Sequence, residues 1–180
     1  MTPQLPHLTI VAGRPAAGKT TLARILARRL RSPLVSRDAI KEGMVNTLGD
    51  KGAPDGDLAQ LAYQTFFANI ELLLRARTSV VAEAAFQHAR WAPKLEPLVP
   101  IASIRIVLCQ LAPRLAQSRA QRRRQDDPDW DRYHNAPLTQ ENQAPKAYDP
   151  PNMDLPLLKV DTTDQYDPGL EPIIHFATKR

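Results

Sequence analysis

The chain has a single cysteine, Cys109, among 180 residues, so no internal disulfide can brace it. That thiol ends an apolar run and reads as a small buried residue, not a nucleophile; the scarcity points to a reducing compartment. No apolar run approaches the length that spans a bilayer, and residues 1–7 lack the basic-then-apolar order of a signal peptide. The expectation is a cytoplasmic protein that makes no membrane contact. Aromatic residues are only 6% of the chain, and Trp91 and Trp130 are too isolated to form a stacking platform for bases. His7, His88, His134 and His175 show no metal-ligand spacing, and no Ser-His-Asp arrangement can be assembled. A disulfide scaffold, a membrane span, a zinc centre and a serine hydrolase are thereby set aside.

Positive charge is what the chain does have. The formal charge of +5, with a pI of about 9.6, suggests anionic ligands. The excess is uneven: Arg114, Arg119, Arg122, Arg123 and Arg124 fall within eleven residues, and Asp126, Asp127, Asp129 and Asp131 follow at once. Basic beside acidic is not the broad basic face of a nucleic-acid binder. With 43% apolar residues, the length suits one domain, residues 1–180, with a real core.

One stretch organises the rest. Gly13-Arg14-Pro15-Ala16-Ala17-Gly18-Lys19-Thr20 fills every fixed position of G-x-x-x-x-G-K-[ST]. An apolar, β-branched run at 8–12 precedes it, and residues 21–30 follow with apolar positions at helical spacing. In a strand–loop–helix context, backbone N–H groups converge into an anion cradle at the positive end of the helix dipole. Gly13 and Gly18 allow backbone approaches that a Cβ would obstruct. Lys19 can reach the β- and γ-phosphates of a nucleotide, Thr20 can ligate Mg²⁺, and Thr21 extends the cradle.

Taken in order, residues 33–36 read as a second strand and 38 to about 48 as a second helix. A surface loop is expected over 49–57. The third helix spans 58 to about 77, its face drawn through Leu58, Leu61, Ala62, Thr65, Phe66, Asn69, Leu72, Leu73 and Ala76. Residues 78–83 form a third strand, buried except at its C-terminal end. A short helix near 90–98 is interrupted by Pro93 and Pro97. A fourth strand covers 101–108, and a helix runs from Pro113 to about Gln125. Residues 126–156 hold six prolines and read as loop. A last strand at 157–161 and a helix at 170–178 complete the chain. Strands alternating with helices indicate an α/β fold whose parallel sheet is covered on both faces, with ligands beyond the carboxyl ends of the strands. That rule gathers residues 13–20, Asp38, Glu83, Gln110 and 161–163 along one cleft.

Asp38, at the start of a helix, has two readings: a helix cap, or a general base taking a proton from an attacking hydroxyl. Lys41, one turn on, either steadies an anionic substrate group or is solvated. Glu83 either orients Mg²⁺ or is a solvated strand end. On the fifth helix, Leu111, Leu115 and Ser118 offer a face to pack, and Arg119, Arg122 and Arg123 share the other, as a lid over phosphates would need.

These residues resemble the small P-loop kinases, the group of shikimate and gluconate kinases. The likeness is closer to the bacterial AAA-domain (zeta-toxin-like) kinases, near chloramphenicol phosphotransferase and the kinase domain of polynucleotide kinase. It is carried by GRPAAGKT at 13–20, SRDAIKE at 36–42, VVAEAAF at 80–86 and the R-x-x-R of Arg119 and Arg122. The resemblance implies a three-layer sandwich with a five-stranded parallel sheet ordered 2-3-1-4-5 and an arginine-bearing lid near 113–150. It implies Asp38 as the acceptor base, Arg119 and Arg122 in the lid, Arg90 on the substrate side, and Thr162 among residues near adenine. The function expected is an ATP- and Mg²⁺-dependent kinase acting on a hydroxyl of a small molecule. The alternatives are a nucleic-acid end as acceptor and a nucleotide-dependent switch without transfer. Neither the acceptor nor the oligomeric state has a sequence signature.

Overall fold

The computed structural model describes residues 4–49, 58–128, 132–133 and 148–179. Five strands form the sheet: β1 (His7–Gly13), β2 (Leu34–Ser36), β3 (Val80–Glu83), β4 (Ser103–Gln110) and β5 (Leu157–Asp161). Six helices accompany them among the described residues: α1 (Lys19–Arg29), α2 (Arg37–Leu48), α3 (Leu58–Arg75), α4 (His88–Leu95), α5 (Pro113–Asp126) and α6 (Leu170–Thr178). Every strand pairing is parallel, in the order β2-β3-β1-β4-β5, as expected.

Strand alternation divides the core in two. Leu8, Ile10, Ala82, Ile104 and Ile106 face α3 and α4, where Tyr63, Phe66, Phe67, Phe86 and Trp91 form a cluster of edge-to-face and tilted aromatic pairs. Val11, Val81, Val107, Cys109 and Val160 face α1 and α6, meeting Leu22, Leu26 and Ile173. Both faces are covered, so the strands read as unbroken apolar runs. Trp91 is core, and burial pushes the Cys109 thiol up to about 12, far from nucleophilic. Among the described residues, no helix is long and apolar enough to cross a membrane.

The structure corrects several local expectations. The buried face of α3 runs through Ala62, Tyr63, Phe66, Phe67, Ile70 and Leu74, while Leu61 and Leu72 are exposed. Two apolar stripes coexist on this helix, and the one bearing aromatics wins because it buries more area against Trp91 and Phe86. β3 is buried along its whole length, Glu83 included at 1% exposure. α4 continues through Pro93 and tightens into a 3₁₀ turn over Glu96–Leu98. On α5 it is Ala116 that packs; Leu115 and Ser118 are exposed. The surface loop and the lid expected from the sequence fall in part on residues 50–57, 129–131 and 134–147, outside the described residues. Past them, Asp149 accepts from Ala89 N at the start of α4 (3.1 Å), tying the returning chain to that helix.

Register is what positions the site. Val11 and Ser36 both lie level with Glu83, Gly13 lies level with Cys109, and Gln110 with Asp161. The strand ends therefore form one rim.

Candidate active site

The loop after β1 is shaped by three left-handed residues: Gly13 (φ 147), Ala16 (φ 62) and Gly18 (φ 77). A Cβ on Gly13 would lie 2.6 Å from the Cys109 carbonyl oxygen of the neighbouring strand. That oxygen belongs to the sheet and cannot withdraw. Gly13→Ala should therefore distort the β1–β4 pairing and weaken nucleotide binding by well over about tenfold; nucleotide titration alongside thermal melting checks this.

α1 starts at Lys19 with no side-chain cap and no acidic residue in its first turn. Its first N–H groups thus have no helical partner and face the loop, where they and the helix dipole favour an anion. Lys19 is 7% exposed, and its Nζ donates to the Arg14 carbonyl (2.9 Å). Burial lowers its pKa; the Glu83 and Asp38 carboxylates oppose this, and the Arg123 guanidinium adds to it. Thr20 Oγ1 donates to Glu83 Oε1 (3.1 Å), as does Ser36 Oγ (2.9 Å). Burial pushes the Glu83 carboxyl above its ordinary value, and Lys19 and both hydroxyl bonds pull it back.

Glu83 Oε2 is buried and has no hydrogen-bond partner among the described residues. A buried carboxylate oxygen without a partner is costly unless a water or cation answers it. Beside the Thr20 hydroxyl, this oxygen fits Mg²⁺, which takes one or two protein oxygens and fills its sphere with water and phosphate. Among the described residues no group of three or more His, Cys, Asp or Glu could hold a metal. A cation at this place would depend on the nucleotide as well.

Asp38 does not cap α2. Ser36 is the cap, accepting from Ala39 N (3.4 Å), because it is the residue that leaves the strand with extended backbone. Asp38 stands in the first turn, half-exposed and 3.3 Å from Arg37 Nη1, and its charge acts on Lys19, Glu83 and Lys41. Lys41 is half-buried, and burial lowers its pKa. The charge of Asp38 thus acts on Lys19 and on Glu83, which Thr20 bonds.

Other expected residues have contacts of their own. Arg90 lies over the Tyr63 ring (5.3 Å) and reaches Gln60 Oε1 (3.4 Å), held at the α3–α4 seam. Arg119 donates through Nη2 to the carbonyls of Thr162 (3.0 Å) and Thr163 (2.5 Å), clamping α5 to the segment after β5. The Thr162 hydroxyl lies 3.0 Å from both the Ala17 and the Gln110 carbonyls, so this side chain locks that segment to the phosphate loop. Arg122, expected beside Arg119, turns to Asp126 (3.9 Å) with 85% of its side chain exposed. Arg123, one turn beyond Arg119, carries a charge that acts weakly on Lys19. Arg14 lies over the Tyr148 ring (6.0 Å), a contact no motif announces. In the sequence Ser36 read only as the end of the second strand; its cap on α2 and its tie to Glu83 emerged from the fold. A cavity of about 380 Å³, bounded by Thr20, Arg24, Ser36, Ile40 and Asn69, adjoins the site.

The sheet order, the phosphate loop and the carboxylate-bearing rim define a P-loop kinase fold. The chain belongs to the AAA domain family of P-loop kinases, whose model matches residues 8–151. It is similar to a provisionally named kinase from Chloroflexus aurantiacus J-10-fl, with a TM-score of 0.81 and 25% identity over 96% of this chain and 97% of that one. A gluconokinase from Sinorhizobium meliloti 1021 shares the fold, with a TM-score of 0.56 and 16% identity over 97% of this chain and 91% of that one. So does a chain of the Pnkp1/Rnl/Hen1 RNA repair complex, with a TM-score of 0.59 and 23% identity over 70% of this chain and 40% of that one. No curated protein matches the sequence.

Proposed function

We propose that the chain is an ATP-dependent phosphotransferase that moves the γ-phosphoryl group to a hydroxyl of a small-molecule acceptor. The observation that carries this reading is the Thr20–Glu83 bond and the buried Lys19 at an uncapped helix start, with the charge of Asp38 acting on both Lys19 and Glu83. A switch or motor has no need of a carboxylate at position 38; a kinase does. Residues 13–21 would hold the nucleotide phosphates, and the segment at Thr162 would border the base. Thr20 and Glu83 would hold Mg²⁺, which when bound neutralises charge between the β- and γ-phosphates.

In the transfer, the acceptor oxygen forms a bond to the γ-phosphorus while its proton passes to Asp38. The bond to the bridging oxygen breaks, and ADP leaves with the electron pair. Lys19 stabilises charge on the transferring group in a dry site. Lys41 and Arg90 would contact the acceptor side. Residues 1–180 would act as one P-loop kinase domain, with the lid of about 113–150 opened by α5 and its arginines Arg119, Arg122 and Arg123. Within that lid, Arg123→Ala should lower turnover by roughly 100-fold and Arg122→Ala by less than about twofold; steady-state rates of the two variants decide the order.

The adjoining cavity, of a size that suits a small ligand, supports a small-molecule acceptor. The positive charge of the chain and its likeness to a chain of an RNA repair complex favour a second reading, a nucleic-acid end. Labelled ATP offered to sugars, antibiotics, nucleosides and oligonucleotides, with a Lys19 variant as blank, separates them. A nucleic-acid acceptor predicts oligonucleotide binding that weakens steeply with salt. ATP consumed with no labelled acceptor would overturn the kinase reading.

A further inference from the structure

We infer that Ser36 is a positioning residue of this site: one hydroxyl both starts the helix that carries Asp38 and holds the Glu83 carboxylate for Mg²⁺-nucleotide. The inference rests on the reading of Thr20 and Glu83 as the metal-facing pair. Ser36 lies level with Glu83 across the parallel β2–β3 pairing, so the two side chains stand side by side on one face of the sheet. It is also the last residue of β2 and the cap of α2, which places the same atom at the joint between strand and helix.

The Ser36 oxygen accepts from Ala39 N (3.4 Å) through a lone pair and donates its one proton to Glu83 Oε1 (2.9 Å), so both bonds coexist. Thr20 Oγ1 donates to the same Oε1 from the phosphate-loop helix (3.1 Å). With that oxygen held from α1 and from β2, the carboxylate cannot rotate freely, and Oε2 is left as its unpartnered acceptor. Mg²⁺ binding depends on oxygens already aimed, and groups that aim a ligand without touching the metal commonly change affinity by about 10–100-fold. Ser36 is also the link through which the start of α2, with Asp38 two residues on, is tied to the metal-facing carboxylate.

Three variants divide the two roles. Ser36→Ala removes both bonds. Ser36→Gly removes both as well, yet glycine is tolerated at a helix cap nearly as well as serine. Ser36→Thr keeps both, and its branched side chain suits the extended backbone there (φ −112, ψ 124). Binding of methylanthraniloyl-ATP to the full chain is titrated with and without Mg²⁺, and melting temperature is recorded for each variant. Without Mg²⁺, the wild type and all three variants should bind within about twofold of one another, since the N–H cradle is untouched. With Mg²⁺, wild type and Ser36→Thr should gain affinity, while Ser36→Gly and Ser36→Ala lose at least about tenfold of that gain. Only Ser36→Ala should also melt lower. A full Mg²⁺ gain in Ser36→Gly overturns the inference, as does failure of Ser36→Thr to restore it. A wild-type protein indifferent to Mg²⁺ overturns the metal site itself, and the inference with it.

Discussion

Lys19→Met should lower phosphoryl transfer on the order of 1,000-fold and leave the fold in place. The ammonium is 7% exposed, held by the Arg14 carbonyl, and close to both carboxylates of the rim. No other cation among the described residues occupies that buried position. Methionine fills the same channel without charge, so the helix start and both core clusters keep their packing. Glu83 retains its two hydroxyl donors, which limits the structural cost. Circular dichroism melting and ATP turnover with the acceptor pool measure the two sides independently. Full turnover by the methionine variant would remove the phosphate loop from the chemistry.

Asp38→Asn should reduce transfer by about 100- to 10,000-fold while nucleotide binding changes by less than about threefold. Because Ser36 supplies the cap, position 38 can lose its charge without freeing the start of α2. Asn keeps the shape and the contact with Arg37 but cannot accept the acceptor's proton. Rates measured at saturating ATP, with nucleotide affinity measured separately, distinguish loss of the base from loss of binding. Normal turnover by this variant would return Asp38 to a surface role.

The sequence and the fold meet most closely at the phosphate loop. Gly13, Gly18, Lys19 and Thr20 are legible because backbone geometry and anion binding demand those residue types at that spacing, whatever surrounds them. The alternation of β-branched runs with amphipathic stretches was likewise enough for a parallel sheet, and the order 2-3-1-4-5 followed from resemblance. Elsewhere the pattern was ambiguous. α3 carries two apolar stripes, and only the position of Trp91 and Phe86 selects between them. Glu83 could have ended its strand in solvent; parallel neighbours on both sides bury it instead.

What this chain's sequence determined by itself is therefore local: a phosphate cradle at residues 13–20, strands, helices and an arginine-rich helix α5. The tertiary structure decided which side chains share a space. It gave the cap of α2 to Ser36, left Glu83 Oε2 without a partner among the described residues, tied Arg119 to the carbonyls after β5, and turned Arg122 to Asp126. Helical periodicity makes residues three and four apart equally near, and strand spacing fixes no neighbour across a sheet. Register and packing supply those missing distances, and the chemistry of the site depends on them.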